Sequence, residues 1–135
     1  MTDTELIRSA VEASRRAYAP YSGCNVGAAL FTASGKVYTG CNIENASFSL
    51  TVCAERTAFF KAVADGEKEF VKIAVTGNKG GKSEEYFYPC GACRQVMAEF
   101  CGEDFVIITA KGETDYLKTT LKEFLPDAFN KSKMR

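Results

Sequence analysis

Hydrophobic and polar positions along the chain fall into blocks with two different periods. Leu6, Ala10, Ala13 and Ala17 recur three or four residues apart, which predicts an opening helix with one apolar face. Pro20 is expected to stop it. Val26 to Phe31 is a mostly apolar run, Ala33-Ser34-Gly35-Lys36 supplies turn residues, and Val37 to Ile43 returns, so a hairpin is expected. A helix is predicted from about Val52 to Ala64, ended by Gly66. Strand and helix then alternate. Phe70 to Thr76 is β-rich, Asn78 to Tyr88 reads as a polar, Gly-rich loop, and Gly91 to Cys101 reads as a helix stopped at Gly102. Phe105 to Ala110 is almost continuously apolar, the pattern of a strand covered on both faces. A weak strand is expected around Tyr116, then a short helix from Thr120 to Leu125 ended by Pro126. Together these predict an α/β fold: three layers, α/β/α, with a mixed sheet of about five strands.

Composition narrows the partners. With 135 residues the chain is expected to form one domain, 1–135, large enough to bury roughly two-thirds of its unfolded surface. It carries 17 basic and 17 acidic residues, whereas nucleic-acid binding usually brings a strong cationic excess. The basic groupings, Arg15-Arg16 and Lys131, Lys133, Arg135, read as solvated surface. The expected partner is therefore a small molecule rather than nucleic acid. Met1 to Glu5 is polar and acidic, and no apolar run approaches the roughly 18 residues of a membrane helix, so neither a signal peptide nor a membrane span is expected. That reading places the protein in the cytoplasm, where disulfides are rare, and makes its six cysteines buried thiols, metal ligands or a catalytic thiol.

The chain has no histidine. Ser-His and Cys-His catalysis are thereby excluded. A transition-metal site must rest mainly on thiolates, and a general acid or base must be a carboxylate, Lys, Tyr or Cys. Two segments meet these demands: Cys53-Ala54-Glu55-Arg56 and Pro89-Cys90-Gly91-Ala92-Cys93-Arg94-Gln95. Both fall at predicted helix starts, where free N–H groups and the helix dipole stabilise thiolates. Cys90 and Cys93 are one turn apart, so both sulfurs share a side. Alone, Cys-x-x-Cys fits a redox pair, half a structural zinc site or chance, and Glu55 alone fits an ordinary first-turn Glu. In combination they offer three soft ligands, Cys53, Cys90 and Cys93, with a carboxylate beside one of them. Three protein ligands with room for water is the pattern of catalytic Zn²⁺. Arg56, Arg94 and the helix ends are expected to offset the excess thiolate charge.

At these residues the sequence resembles the cytidine deaminase family, in its homotetrameric branch with three cysteine ligands. The likeness continues through Ala19-Pro20-Tyr21-Ser22, Val26-Gly27-Ala28-Ala29-Leu30, Gly40-Cys41-Asn42-Ile43-Glu44-Asn45-Ala46 and Leu125-Pro126-Asp127-Ala128-Phe129. It implies hydrolytic deamination of free cytidine and deoxycytidine to uridine and deoxyuridine, in pyrimidine salvage. It also implies Zn²⁺ on the three cysteines and Glu55 as the shuttle that passes the attacking water's proton to ring N3 and the departing amine. Asn42 and Glu44, two apart on one strand face, would hold the ribose hydroxyls. Backbone near Ala54 and Cys90 would hold the base edge. Phe129 would reach a neighbouring subunit's site, so that a homotetramer shares its active sites. Read without the family, Asn42 and Glu44 are a polar strand end and Phe129 a terminal hydrophobe. Phe48 reads as a wall of the site, a subunit contact or core. One departure stands out: Cys24 occupies a place where the family commonly has a Phe that packs on the pyrimidine.

Three other readings stay open. A structural zinc module would take a fourth thiolate from Cys24, Cys41 or Cys101, which otherwise read as buried thiols. A thiol redox protein would use Cys90 and Cys93. Among enzymes, a deaminase of another base, a nucleotide or a polynucleotide competes, although no cationic cluster for a phosphate is evident.

Overall fold

The computed structural model describes residues 1–134; Arg135, part of the basic tail, lies outside them. Helix α1 spans Asp3–Ser14. It opens on a capping box, in which Thr2 Oγ1 accepts from the Glu5 N–H at 3.1 Å and Glu5 accepts from the Thr2 N–H at 3.0 Å. The helix ends before Ala17, where the apolar spacing had carried it. Tyr18 instead donates its N–H to the Asn42 carbonyl at 3.0 Å, and its own carbonyl accepts from Glu44 N–H at 2.8 Å. That long-range bridge claims the backbone a further helical turn would have used.

Five strands form one sheet: β1 Cys24–Thr32, β2 Val37–Cys41, β3 Phe70–Lys79, β4 Val106–Gly112 and β5 Asp115–Thr120. Their order is β2-β1-β3-β4-β5, with β3 and β4 parallel and the other neighbours antiparallel, so the sheet is mixed as expected. Alternation along the strands divides the core in two. Ala29, Ala74 and Ile108 pack with Leu6, Ile7 and Ala10 of α1. Leu30, Ile73, Val75 and Ile107 pack on the other face with α2 (Ala54–Ala64) and α3 (Gly91–Phe100), through Ala58, Phe59 and Met97. Phe59 is fully buried, with rings of Phe70, Phe105 and Phe100 at 5.2, 6.0 and 6.2 Å. Removing such a ring costs about 3–5 kcal/mol. A short helix α4, Leu121–Phe124, follows β5. Among the described residues no helix is long and apolar enough to cross a membrane.

Two further boundaries differ from the sequence pattern. The expected loop from Asn78 begins later, because Asn78 and Lys79 pair with Asn25 and Cys24 and lengthen both β3 and β1. Gly80 and Gly81, at φ +62° and +79°, then turn the chain back to bridge Lys79 with Lys82. The helix expected from Val52 starts at Ala54, because Val52 exchanges two 3.0 Å backbone hydrogen bonds with Ile43. That bridge makes Cys53 the cap of α2 rather than an interior residue. The crossover from β3 to the parallel β4 runs through α3, so the start of α3 lies beyond the carboxyl end of β3, where α/β sheets place their sites.

Candidate active site

Cys53 caps α2 and Cys90 caps α3, both with extended backbone and neither using its side chain as a cap. Cys93 sits one turn into α3 and is buried. The Cys53 and Cys90 sulfurs are 3.8 Å apart and those of Cys90 and Cys93 3.5 Å, with all three within 4.8 Å of one another. Zn–S bonds of about 2.3 Å in a tetrahedron separate sulfurs by about 3.8 Å, so the cluster has the dimensions of a three-thiolate zinc site. Among the described residues no Asp, Glu or further Cys joins this group. Cys24, Cys41 and Cys101 lie outside it, which removes the fourth thiolate that a closed structural site requires.

Electrostatics favour thiolate at the cluster. The Cys53 thiol is drawn down to about 5, first by the hydrogen bond from Cys93 and then by Arg56, whose Nη2 is 3.3 Å from Cys53 Sγ. Cys93 moves up, because it holds the proton it shares with Cys53. Arg56 is itself held more firmly protonated by the Cys53 thiolate. Glu55, on the first turn of α2, is only 4% exposed. Burial pushes its carboxyl up to about 7, and the Cys53 charge acts in the same direction. A carboxyl poised there suits a group that takes and returns a proton.

A hollow of about 230 Å³ brings the predicted residues together: Asn42, Glu44, Cys53, Ala54, Glu55 and Cys90 all line it, with Val26, Thr51, Val75, Phe87 and Tyr88. Larger grooves elsewhere contain neither Glu55 nor any of the three clustered cysteines. Asn42 is buried and fixed by its own amide. Its Oδ1 accepts from the Val26 N–H and its Nδ2 donates to the Cys24 carbonyl, each at 2.8 Å. Glu44 accepts from the Tyr21 and Ser22 N–H groups at 3.0 and 3.1 Å and from the Ser22 hydroxyl, which holds its carboxyl below the ordinary range.

Other predicted residues sit apart. Phe129 is 61% exposed and does not line the hollow. Phe48 is 74% exposed, edge to face with Tyr21, which rules out its reading as core. Arg94, expected to offset thiolate charge, commits its guanidinium to other partners. Its Nε donates to Pro89 O at 2.7 Å, its Nη1 to Phe124 O at 2.8 Å, and its guanidinium lies over the Phe124 ring at 4.5 Å. Residues that motif reasoning passed over are the backbone at Tyr21 and Ser22, which orients Glu44, and Phe87 and Tyr88, which wall the hollow. The Tyr-Phe-Tyr run before Pro89 was the signal for the latter two.

A cluster of three thiolates with an uncoordinated, buried carboxylate beside it is the donor set of a hydrolytic zinc enzyme rather than of structural zinc. The family model for the cytidine and deoxycytidylate deaminase zinc-binding region matches residues 1–109. A cytidine deaminase of Sporosarcina psychrophila is 47% identical over 127 residues, covering 94% of this chain and 90% of the relative. The crystal structure of cytidine deaminase from Burkholderia pseudomallei superposes with a TM-score of 0.88 at 47% identity, covering 96% of this chain and all of that one. That from Mycobacterium tuberculosis superposes at 0.81 with 35% identity, covering 96% and 98%. The chain belongs to the cytidine and deoxycytidylate deaminase family.

Proposed function

We propose that the protein hydrolytically deaminates free cytidine and deoxycytidine, the step of pyrimidine salvage that yields uridine and deoxyuridine. The observation that carries this reading is the buried Glu55 carboxyl beside, but outside, a three-thiolate cluster. Cys53, Cys90 and Cys93 would hold Zn²⁺, which would supply Lewis acidity toward the attacking water. Glu55 accepts the proton that the attacking water gives up and delivers it to ring N3; it then takes the proton of the hydroxyl now on C4 and passes it to the amino group, so that ammonia leaves as the C4 carbonyl forms. Asn42 and Glu44 hold the sugar hydroxyls; Asn42 is fixed by its two backbone contacts, so it is oriented before substrate arrives. Backbone groups at Ala54 and Cys90 meet the base edge. Arg56 balances the thiolate charge. Arg94 serves the site as a strut under Pro89 instead. A nucleoside rather than a nucleotide fits, because the Glu44 carboxylate would repel a phosphate.

The same reading makes the protein a cytoplasmic homotetramer. An apolar groove of about 450 Å³ lined by Ile43, Leu50, Val52 and Phe60 runs beside Glu44, with Phe48 exposed nearby. Apolar surface of this kind beside a site favours a second copy. The hollow of about 230 Å³ lies below the usual 300–1,000 Å³ of ligand pockets, as expected if Phe129 of a neighbour closes it. The test follows cytidine loss by ultraviolet absorbance for the parent and Glu55→Gln, with zinc assayed in both. Expected is a fall in kcat of about 10²–10⁴ with zinc retained. A zinc-loaded, folded parent that turns over neither nucleoside would overturn the reading.

A further inference from the structure

A tether binds the C-terminal segment to α3. Two consecutive residues of α3 make it. Arg94 Nη1 donates to the Phe124 carbonyl at 2.8 Å while its guanidinium covers the Phe124 ring. Gln95 Nε2 donates to the carbonyl of Phe129 at 2.7 Å, across 34 positions of sequence. Between these points the chain is guided closely. Ala128 packs against the core, and Asp127 adopts φ +52°, a left-handed conformation that non-glycine residues rarely take and that Asp tolerates better than most. Phe129 therefore projects from a segment pinned on both sides of a tight reversal rather than from a loose tail. Its ring stays exposed while its backbone is held.

We infer that Gln95 is a positioning residue that sets the Phe129 ring for the base. This rests on the reading that Phe129 closes a nucleoside site. Gln95 stands two positions after Cys93 on the same helix. The helix that supplies two of the three sulfurs thus also sets the aromatic, and the metal site of one subunit is mechanically joined to the base contact of its neighbour. Only the amide N–H of Gln95 makes the contact. An isosteric Glu offers no donor and cannot replace it.

Steady-state kinetics with cytidine test this on the zinc-loaded parent, Gln95→Ala, Gln95→Glu, Phe129→Ala and the double variant Gln95→Ala with Phe129→Ala, with zinc content and solution mass measured for each. Both Gln95 variants should raise KM about 3- to 10-fold, the range that one neutral hydrogen bond commands, with kcat within about twofold and zinc unchanged. If Gln95 acts through Phe129, the double variant should be no worse than Phe129→Ala alone. Two results overturn the inference while leaving the Phe129 reading intact. One is a parental KM in both Gln95 variants when Phe129→Ala raises it; the other is a double variant whose losses multiply. A parental KM in Phe129→Ala would overturn both together.

Discussion

Gly40→Ala isolates the way the sheet positions the metal helix. Gly40 lies in β2 directly beneath the first turn of α2. A Cβ there would meet Ala54 O at 2.4 Å and Ala58 N at 2.6 Å, both backbone atoms that cannot rotate away. Ordinary contact begins near 3.5 Å, so the start of α2 would have to retreat by about 1 Å. Ala54 stands between Cys53 and Glu55, and the same displacement moves a metal ligand and the proton carrier together. Overpacking of this kind costs about 1–3 kcal/mol. At roughly 4 °C per kcal/mol for a domain of this size, the melting temperature should fall by about 4–12 °C. A misplacement of about 1 Å can cost about 10²-fold in rate, so kcat/KM should fall by that order even in the fraction that stays folded. Thermal melts and cytidine kinetics measure both effects. Gly112→Ala is the control, because nothing lies within 4 Å of its added carbon; it should stay within about 0.5 kcal/mol of the parent. Parental melting and parental kcat/KM in Gly40→Ala would refute the claim that close backbone approach sets the site.

Three more expectations follow from charges and ligands. Asp3 accepts from Lys72 Nζ at 2.8 Å and Lys118 Nζ at 2.9 Å, which hold its carboxyl below the ordinary range. Its contribution is complete above the unfolded value near about 4 and disappears as pH falls through the lower folded value, so Asp3→Asn should cost about 1 kcal/mol at pH 7 and progressively less in acid; equal losses in urea melts at both pH values would contradict this. A chelator should abolish turnover and lower the melting temperature, with both restored by zinc alone, and Arg56→Gln should weaken zinc retention by about 10-fold or more. Chelator competition at matched protein concentration reads that difference, and parental retention would remove Arg56 from the metal's surroundings.

Much of this protein was legible in its residues because the signals were local. Capping, apolar period and turn chemistry are properties of short segments, so α1, the β1–β2 hairpin and the alternation from Phe70 onward could be read directly, as could the three-layer mixed sheet. The absence of histidine, set beside Cys53, Glu55, Cys90 and Cys93, narrowed the chemistry before any coordinates. Tertiary structure decided what depends on partners distant in sequence. Tyr18 leaves α1 for Asn42, and Val52 leaves α2 for Ile43, because long-range backbone pairing outbids one more helical turn; the second exchange is what makes Cys53 a helix cap. Arg94 reads as a counter-charge by its position next to Cys93, yet its guanidinium is taken by two carbonyls and a ring that only the fold brings near. Gln95 closes the Pro89 to Gln95 segment, but its spacing gave it no task, since the carbonyl it donates to lies 34 residues away. Residue types and spacings thus determined which chemistry was possible, and packing across the sheet decided which side chains were free to perform it.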